Sequence, residues 1–476
     1  MRTLVWFRAD LRIHDHPALA DARRRGDDGT VAAFILCPRQ WRMHEVSDAR
    51  VDLVLRTLRR LSKALADLNV ALRILDAGDY TEVPDALLDL AREHGCDALH
   101  FNAEYEVNER RRDEAVERAF VAAGRGVSIH HDQCILEPGT VLTREGSPYS
   151  VFSPFKRNML AQLREHGVPD AVPAPERASA MVGEPDDVPA SVDGFEPPAE
   201  SIRSLWPEGE DEASRRLERF LEERALEYDE ARDFAAADAT SRLSPYLATG
   251  CISARTCLRA AKEANNGHLS SGAKGLDVWI SELAWRDFYR HVLVGWPRVS
   301  MHRAFRLETE AIEWSDDEER FEAWCEGRTG YPIVDAGMRQ LRAEAWMHNR
   351  LRMIVAMFLT KDLFIDWRKG ERHFMRHLID GDLASNNGGW QWSASTGTDA
   401  QPYFRIFNPT TQGQRYDPEG DFVRRHVPEL RELKGGKVHE PWRNAGLFDG
   451  QPEYPKPIVD HGEAREHALA AFKALD

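Results

Sequence analysis

The amino-acid sequence predicts an α/β N-terminal domain built on a doubly wound, parallel five-stranded sheet, followed by a larger all-α C-terminal domain. Three observations carry that expectation. Residues 1–131 alternate short β-rich runs with amphipathic helical stretches, and strands separated by helices of that length pair in parallel with both faces covered. Beyond residue 208 helical periodicity dominates and strand patterns nearly vanish. Between the two, residues 169–207 hold eight of the chain's 25 prolines in 39 residues, a composition that cannot supply a core and runs as an extended connection. The expected domains are therefore 1–131, an interdomain linker at 132–207 and a helical domain at 208–476.

In chain order, strands are expected at 3–7, 31–36, 71–75, 98–101 and 127–130, with helices near 48–68, 81–95 and 107–123. Parallel sheets of this kind bind ligands outside the carboxyl ends of their strands. No GxGxxG follows the first strand and no GxxxxGK[ST] occurs, so neither phosphate-binding fingerprint supports a nucleotide enzyme. The second half reads as helices at 211–230, 253–265, 275–294, 317–326, 333–346, 349–361 and 368–379. Residues 380–392 do not read as a helix. They pack Asp380, Asp382, Asn386, Asn387, three glycines, Trp390 and Trp392 into thirteen residues. Glycine weakens helices, and Asp and Asn compete for backbone hydrogen bonds. A segment wrapped around a flat, polar-edged heterocycle has this composition, and so does a Gly-rich surface loop.

The 476 residues exceed one ordinary core, and 42% hydrophobic with 30% charged residues is usual for a globular protein. A net charge of −16 argues against a generally nucleic-acid-adhesive surface while leaving room for a local basic patch. A salty host would also account for that acidity. The six cysteines are scattered, as reduced thiols in a cytoplasmic protein would be. No signal peptide and no run of about 18 apolar residues is present, so no membrane association is expected. Ten of the 13 tryptophans lie beyond residue 270, which marks the C-terminal half for π contacts.

Several stretches resemble the photolyase/cryptochrome family. Leu4-Val-Trp-Phe-Arg8-Ala-Asp10-Leu-Arg12 is similar to the opening of its antenna domain. Thr240-Ser-Arg-Leu-Ser244-Pro-Tyr-Leu-Ala-Thr-Gly250, Trp279-Ile-Ser-Glu282-Leu-Ala-Trp285-Arg286-Asp-Phe-Tyr289 and Thr329-Gly-Tyr-Pro-Ile-Val-Asp335 are similar to its catalytic domain. So are Trp346-Met-His-Asn349-Arg350-Leu-Arg352-Met353, residues 380–392 and Phe404-Arg405-Ile-Phe-Asn-Pro409. The resemblance runs nearly end to end and is nearest to class I cyclobutane pyrimidine dimer photolyases of bacterial, folate-using type.

That resemblance implies an FAD held by the helical domain. It places Tyr228, Thr240, Ser241, Arg242, Leu243 and Ser244 at the cofactor's phosphates, although Thr240-Ser-x-x-Ser also reads as a plain helix cap. Arg286 takes the phosphate-side arginine's place, Arg352 and Asp380 a salt bridge beside the isoalloxazine, and Asp382 its pyrimidine edge. Asn386 stands opposite the flavin N5, where an amide can meet a protonated nitrogen without adding charge. The lesion pocket is implied at Glu282, Trp285, Tyr289, Asn349, Arg350, Met353 and Trp392. Glu282, Trp285, Arg286 and Tyr289 share one helical face by spacing, which core packing would also produce. Trp390, Trp367 and Trp314 match the family's electron-relaying tryptophans. Arg232, Arg350, Arg405 and Arg415 are the arginines expected to meet DNA phosphates. His44, Asn108 and Glu109 match the antenna positions that hold 5,10-methenyltetrahydrofolate, but Met301 stands where folate-using members have a lysine, which leaves a deazaflavin as the alternative.

The implied activity is light-driven repair of UV-induced pyrimidine dimers in DNA, by a monomer that uses no metal. A cryptochrome photoreceptor with the same flavin is the alternative, disfavoured by the lesion-pocket residues and by a chain that ends about 17 residues after the 455–459 segment. Repair of (6-4) lesions is disfavoured because His348-Asn349 stands where that branch has a histidine pair. His373 and His377, at i and i+4, lack the third ligand and HExxH pattern of a zinc site. His14-Asp-His16 reads as a turn, with His16 in a position that many relatives fill with Asn.

Overall fold

The computed structural model describes residues 1–444 and 454–475. Five strands, β1 (Thr3–Phe7), β2 (Thr30–Leu36), β3 (Ala71–Asp76), β4 (Ala98–Asn102) and β5 (Gly126–His130), form one parallel sheet in the order β3-β2-β1-β4-β5. All five stand where the sequence predicts them, each within a residue at either end. Strand alternation sorts the core in two. Leu4, Trp6, Leu99 and Phe101 face one buried cluster, and Val5, Phe7, Ala32 and Phe34 face another. A sheet buried on both sides explains why β1 and β2 are apolar without interruption.

The chain divides into two compact units. The first comprises residues 1–226, 241–297 and 379–382, and the second residues 227–240, 298–378 and 383–476. These units do not follow the boundary expected at 208, because helices Ala254–Ala264 and Lys274–Gly295 belong to the first.

Within the first unit, helix Asp48–Asp67 begins at Ser47, whose hydroxyl accepts from the Arg50 amide at 3.1 Å, and it buries Val51, Leu55, Leu58, Leu61 and Leu65 at helical spacing. Helix Pro17–Arg25 was not foreseen. Its N-cap is His16, whose Nδ1 accepts from the Leu19 amide at 3.0 Å while Nε2 lies 3.1 Å from Asp10. An imidazole nitrogen thus does here what an Asn side chain does at other N-caps. The linker is also more structured than its composition suggests. It carries helices Phe152–Glu165 and Glu200–Leu205, and Val192 and Phe195 enter the sheet's core. The stretch predicted as one helix at 211–230 is broken into Glu210–Glu223, a short 3-10 turn and Tyr228–Ala231.

The second unit is helical. Its apolar core joins Trp324, Val334, Leu341, Leu351, Phe358, Trp367, Phe374 and Trp390. Helix Asn349–Met357 ends in a π turn, Phe358–Asp362, rather than running on in α geometry. The main correction concerns residues 380–392. Leu383–Ala394 is a regular α-helix, because Asn386, Asn387 and Gln391 bond to neighbouring segments and to one another instead of competing for their own backbone. All six cysteines are unpaired. Among the described residues no helix is long and apolar enough to cross a membrane.

The cap predicts a graded response. His16→Ala should cost about 1–2 kcal/mol in urea unfolding, whereas His16→Asn should recover most of that loss. Equal loss in both variants would mean that the cap contributes nothing.

Candidate active site

In the first unit, helix Lys274–Gly295 carries Glu282, Trp285, Arg286 and Tyr289 on one face. The Trp285 ring is stacked on Phe152 of the linker helix, with centroids 3.6 Å apart and planes 10° from parallel, and Tyr289 lies 5.6 Å away. Phe152 is buried, so this aromatic stack is anchored at its base. Arg286 donates to the Gln133 carbonyl and, at 3.2 Å, to that of Leu247. Burial, then the neighbouring Arg290, pull its pKa down.

Arg290 lies one turn beyond Arg286, and the sequence reading missed it. It is buried and ion-paired with Asp382. Burial works against its charge, but Asp382 holds the guanidinium above its ordinary range. Its Nη1 is buried without a partner, a donor aimed at no protein acceptor. Extending the Glu282, Arg286 spacing by four more residues would have found it. Asp380 is buried in the same unit.

The segment Ser241–Ser244 also belongs to this unit. Helix Ser244–Thr249 has Leu243 at its N-cap and no side-chain cap, so the plain capping reading of these hydroxyls fails. Arg242 takes φ +50°, a left-handed conformation uncommon outside glycine.

His44, Asn108 and Glu109 are brought together as expected. Asn108 Nδ2 is 3.0 Å from His44 Nε2, and His44 Nδ1 is 3.4 Å from Glu109. Tyr80, unforeseen, donates to Glu109 at 3.0 Å and carries the Arg112 guanidinium over its ring at 4.6 Å. Burial raises the Glu109 pKa, with Arg112 opposing.

In the second unit, helices Trp367–His377 and Leu383–Ala394 pack against each other. Asn386 is buried, and its Nδ2 donates to the Glu371 backbone carbonyl at 3.0 Å. A carbonyl partner demands the amide NH2 there, which leaves Oδ1 as the outward group. Asn387 donates to the Glu371 carboxylate at 2.7 Å and accepts from Gln391 at 2.8 Å. The Arg352 Nε donates to the Met347 carbonyl at 2.8 Å. Tyr228 is buried beneath the Arg232 guanidinium, 5.3 Å from its ring centre, and Thr240 closes the same segment.

Trp390 is buried with its six-membered ring against Gly370, where a Cβ would overlap ring atoms. Gly370 lies one turn beyond Trp367 on the same helix, and both indoles belong to one buried cluster. A bridge between Ser315 and Ile365 then sets Trp314 beside the strand-like segment that leads into Trp367. Trp324 and Phe374 also pack edge-on to Trp390, at 6.0 and 5.0 Å.

In the same unit, Asn349 is exposed at the start of its helix, and Met353 and Trp392 are half-buried. Arg350 is already engaged. It pairs with Asp233 at 2.7 Å and lies 4.4 Å over Tyr416, whose ring also meets exposed Arg415 at 5.1 Å. Arg405 is exposed. Met301 is exposed and puts no charge at its position.

The chain is similar to known proteins along nearly all its length. The family described as DNA photolyase matches residues 3–176, and the FAD binding domain of DNA photolyase matches residues 279–474. A deoxyribodipyrimidine photo-lyase of Escherichia coli K12 is 47% identical over 99% of this chain and 98% of its own. A bacterial class III photolyase from Agrobacterium tumefaciens superposes with a TM-score of 0.89 at 37% identity, covering 100% of this chain and 97% of that one. A cryptochrome from Synechocystis sp. PCC6803 gives 0.87 at 28%, covering 99% of each chain.

Gly370 supplies a test of the packing. Gly370→Ala should destabilise the protein by about 1–3 kcal/mol through overpacking and slow light-driven reduction of the oxidised flavin by displacing Trp390. Transient absorption at wild-type rates would contradict the placement.

Proposed function

The chain belongs to the photolyase/cryptochrome family: it is an enzyme of light-driven DNA repair that works with FAD, and we propose how its own residues divide that work. The cofactor suits the groups present. The unpartnered Nη1 of Arg290 beside Asp382 and the outward Oδ1 of Asn386 are polar groups of the kind a flavin's ring edge requires. When bound and reduced, FAD supplies on illumination the electron that splits the cyclobutane bonds of a pyrimidine dimer and takes it back afterwards.

In the first unit, Ser241, Arg242, Leu243, Ser244 and Arg286 serve the cofactor's phosphates, and Asp380 and Asp382 its ring. In the second, Tyr228 and Thr240 serve the phosphates, Arg352 the ring and Asn386 its N5. Asn386 accepts from a protonated N5 and brings no charge of its own, which favours a reduced anionic ring. Trp390, Trp367 and Trp314 relay an electron to the oxidised form. Their indoles accept a transient hole, and Trp390 and Trp367 are almost fully buried.

Glu282 and Asn349 meet the polar edges of a dimer extruded from the duplex, while Trp285 and Trp392 pack on its rings together with Tyr289 and Met353. A damaged pair unstacks at lower cost than a normal one, which contributes to selectivity. Arg232, Arg350, Arg405 and Arg415 hold the flanking phosphates, so binding weakens with salt despite the −16 net charge. Asp233, paired with Arg350, fixes the guanidinium's direction. His44, Asn108 and Glu109 hold the antenna chromophore, 5,10-methenyltetrahydrofolate in preference to a deazaflavin, since Tyr80 and Arg112 support a compact polar site. The working boundaries we assign are an antenna domain at 1–131, a linker at 132–207 and a catalytic domain at 208–476.

The observation that carries repair over signalling is the Phe152-backed Trp285 on the same helical face as Glu282. The test is illumination of the reduced holoprotein with dimer-containing DNA under near-UV or blue light. Dimer loss that requires light is expected, and Trp285→Ala should weaken substrate binding by about tenfold or more, since stacking on one base contributes roughly 1–3 kcal/mol. Photoreduction of the flavin without any dimer loss would instead favour the photoreceptor reading.

A further inference from the structure

A second polar cluster of the first unit lies outside every residue assigned a role above. His100 stands in the middle of β4, and His130 ends β5. The register sets His100 against Ser128 and Asn102 against His130, so both imidazoles leave the sheet on the same face. Helix Pro17–Arg25 packs on that face and presents Asp21. Asp21 Oδ2 lies 3.3 Å from His100 Nδ1 and 3.5 Å from His130 Nε2. The three residues' ligand atoms all fall within 4.8 Å of one another.

Asp21 Oδ2 meets the two imidazoles only at long range, and none of those three atoms, nor the other ring nitrogen of His100, makes a well-formed hydrogen bond, although the His100 side chain is fully buried. Leaving a buried polar atom unsatisfied costs about 1–3 kcal/mol, so such a cluster calls for an explanation. Hydrogen bonds within the cluster do not provide it, because the separations exceed the usual N–H···O distance of about 2.9–3.0 Å. The two Asp21–imidazole separations, 3.3 and 3.5 Å, do suit a coordination polyhedron. Two ligands each about 2.0–2.1 Å from a tetrahedral zinc ion stand about 3.4 Å apart.

The surroundings agree. The other carboxylate oxygen of Asp21 accepts from Arg24 at 2.5 Å and Arg25 at 3.1 Å. These donors turn Oδ2 toward the imidazoles, as outer-shell groups do around metal ligands. Both arginines also bring positive charge, but their side chains are 74% and 51% exposed, so water screens them. β5 is the sheet's edge strand and His130 is partly exposed, which gives an ion a way in and room for a water ligand.

We propose that Asp21, His100 and His130 form a binding site for a divalent transition-metal ion, zinc by its ligand chemistry, with water in the fourth position. Two imidazole nitrogens and one carboxylate oxygen suit a borderline ion, whereas magnesium and calcium take oxygen shells. The bound ion ties a helix to two strands, one of them the exposed edge, and so braces this unit.

The test uses the full-length, flavin-loaded protein stripped with a chelator and then titrated with zinc, with bound metal measured after equilibrium dialysis and thermal unfolding followed in parallel. One equivalent should bind at low-micromolar free zinc and raise the unfolding temperature reversibly. His130→Gln, at the partly exposed edge, should keep the metal-free unfolding temperature, weaken binding by about tenfold or more and abolish the rise. Should that variant fail to fold, Asp21→Asn carries the same expectation. His373 and His377, whose rings lie 4.2 Å apart, are the competing pair, and His377→Gln should leave binding intact. The assignment is overturned if the wild-type protein binds no zinc, if binding survives His130→Gln or Asp21→Asn, or if His377→Gln removes it.

Discussion

The burial of one carboxylate organises the second unit. Glu371 is only 1% exposed, and a buried charge persists only when every side of it is paired. One oxygen accepts from Asn387 at 2.7 Å and the other meets His302 at 3.0 Å. That hydrogen bond raises the pKa of His302, which favours the charged imidazole. The backbone carbonyl of the same residue accepts from Asn386. Asn387 passes the pairing on to Gln391, whose amide binds the Arg303 carbonyl at 3.3 Å and the Phe305 amide at 2.8 Å. Helix Leu383–Ala394 is thereby fixed along helix Trp367–His377, and losing Asn387 would leave the buried Glu371 carboxylate without one of its donors.

Two consequences reach the chemistry. The Asn386 amide is held in a single orientation, with its oxygen outward, before any cofactor arrives, which is the pre-organisation an electrostatic site needs. The same docking sets Trp390 on Gly370, one turn from Trp367, so that Asn386 and Trp390 share one rigid helix. Trp392 lies two residues further on. In the first unit, Phe152 behind Trp285 and Asp382 on Arg290 give comparable rigidity from apolar stacking and from a buried ion pair.

Much of this was legible in the sequence. The five strands were, because a sheet covered on both faces writes uninterrupted apolar runs such as Thr3–Phe7. Most long helices were, because residues such as Val51, Leu55 and Leu58 repeat at their period. The conformation of residues 380–392 was not legible. Local propensity speaks against a helix there, and only tertiary partners such as Glu371 overrule it. Helix Pro17–Arg25 was hidden because an imidazole N-cap has no usual sequence signature. Phe152, Tyr80 and Tyr416 were missed because each supports its partner from a distant part of the chain, and no spacing rule connects positions 152 and 285. Asp21, His100 and His130 lie too far apart to form a motif.

We propose that the Asn386 amide, oriented by Glu371, faces the flavin without adding charge. The reduction potential of the bound flavin in Asn386→Asp, set beside that of the wild-type holoprotein, tests this most directly. A carboxylate at that position should repel the reduced anionic ring and shift the potential negative, with the reduced form harder to maintain. An unchanged potential in a folded, flavin-loaded variant would contradict the account.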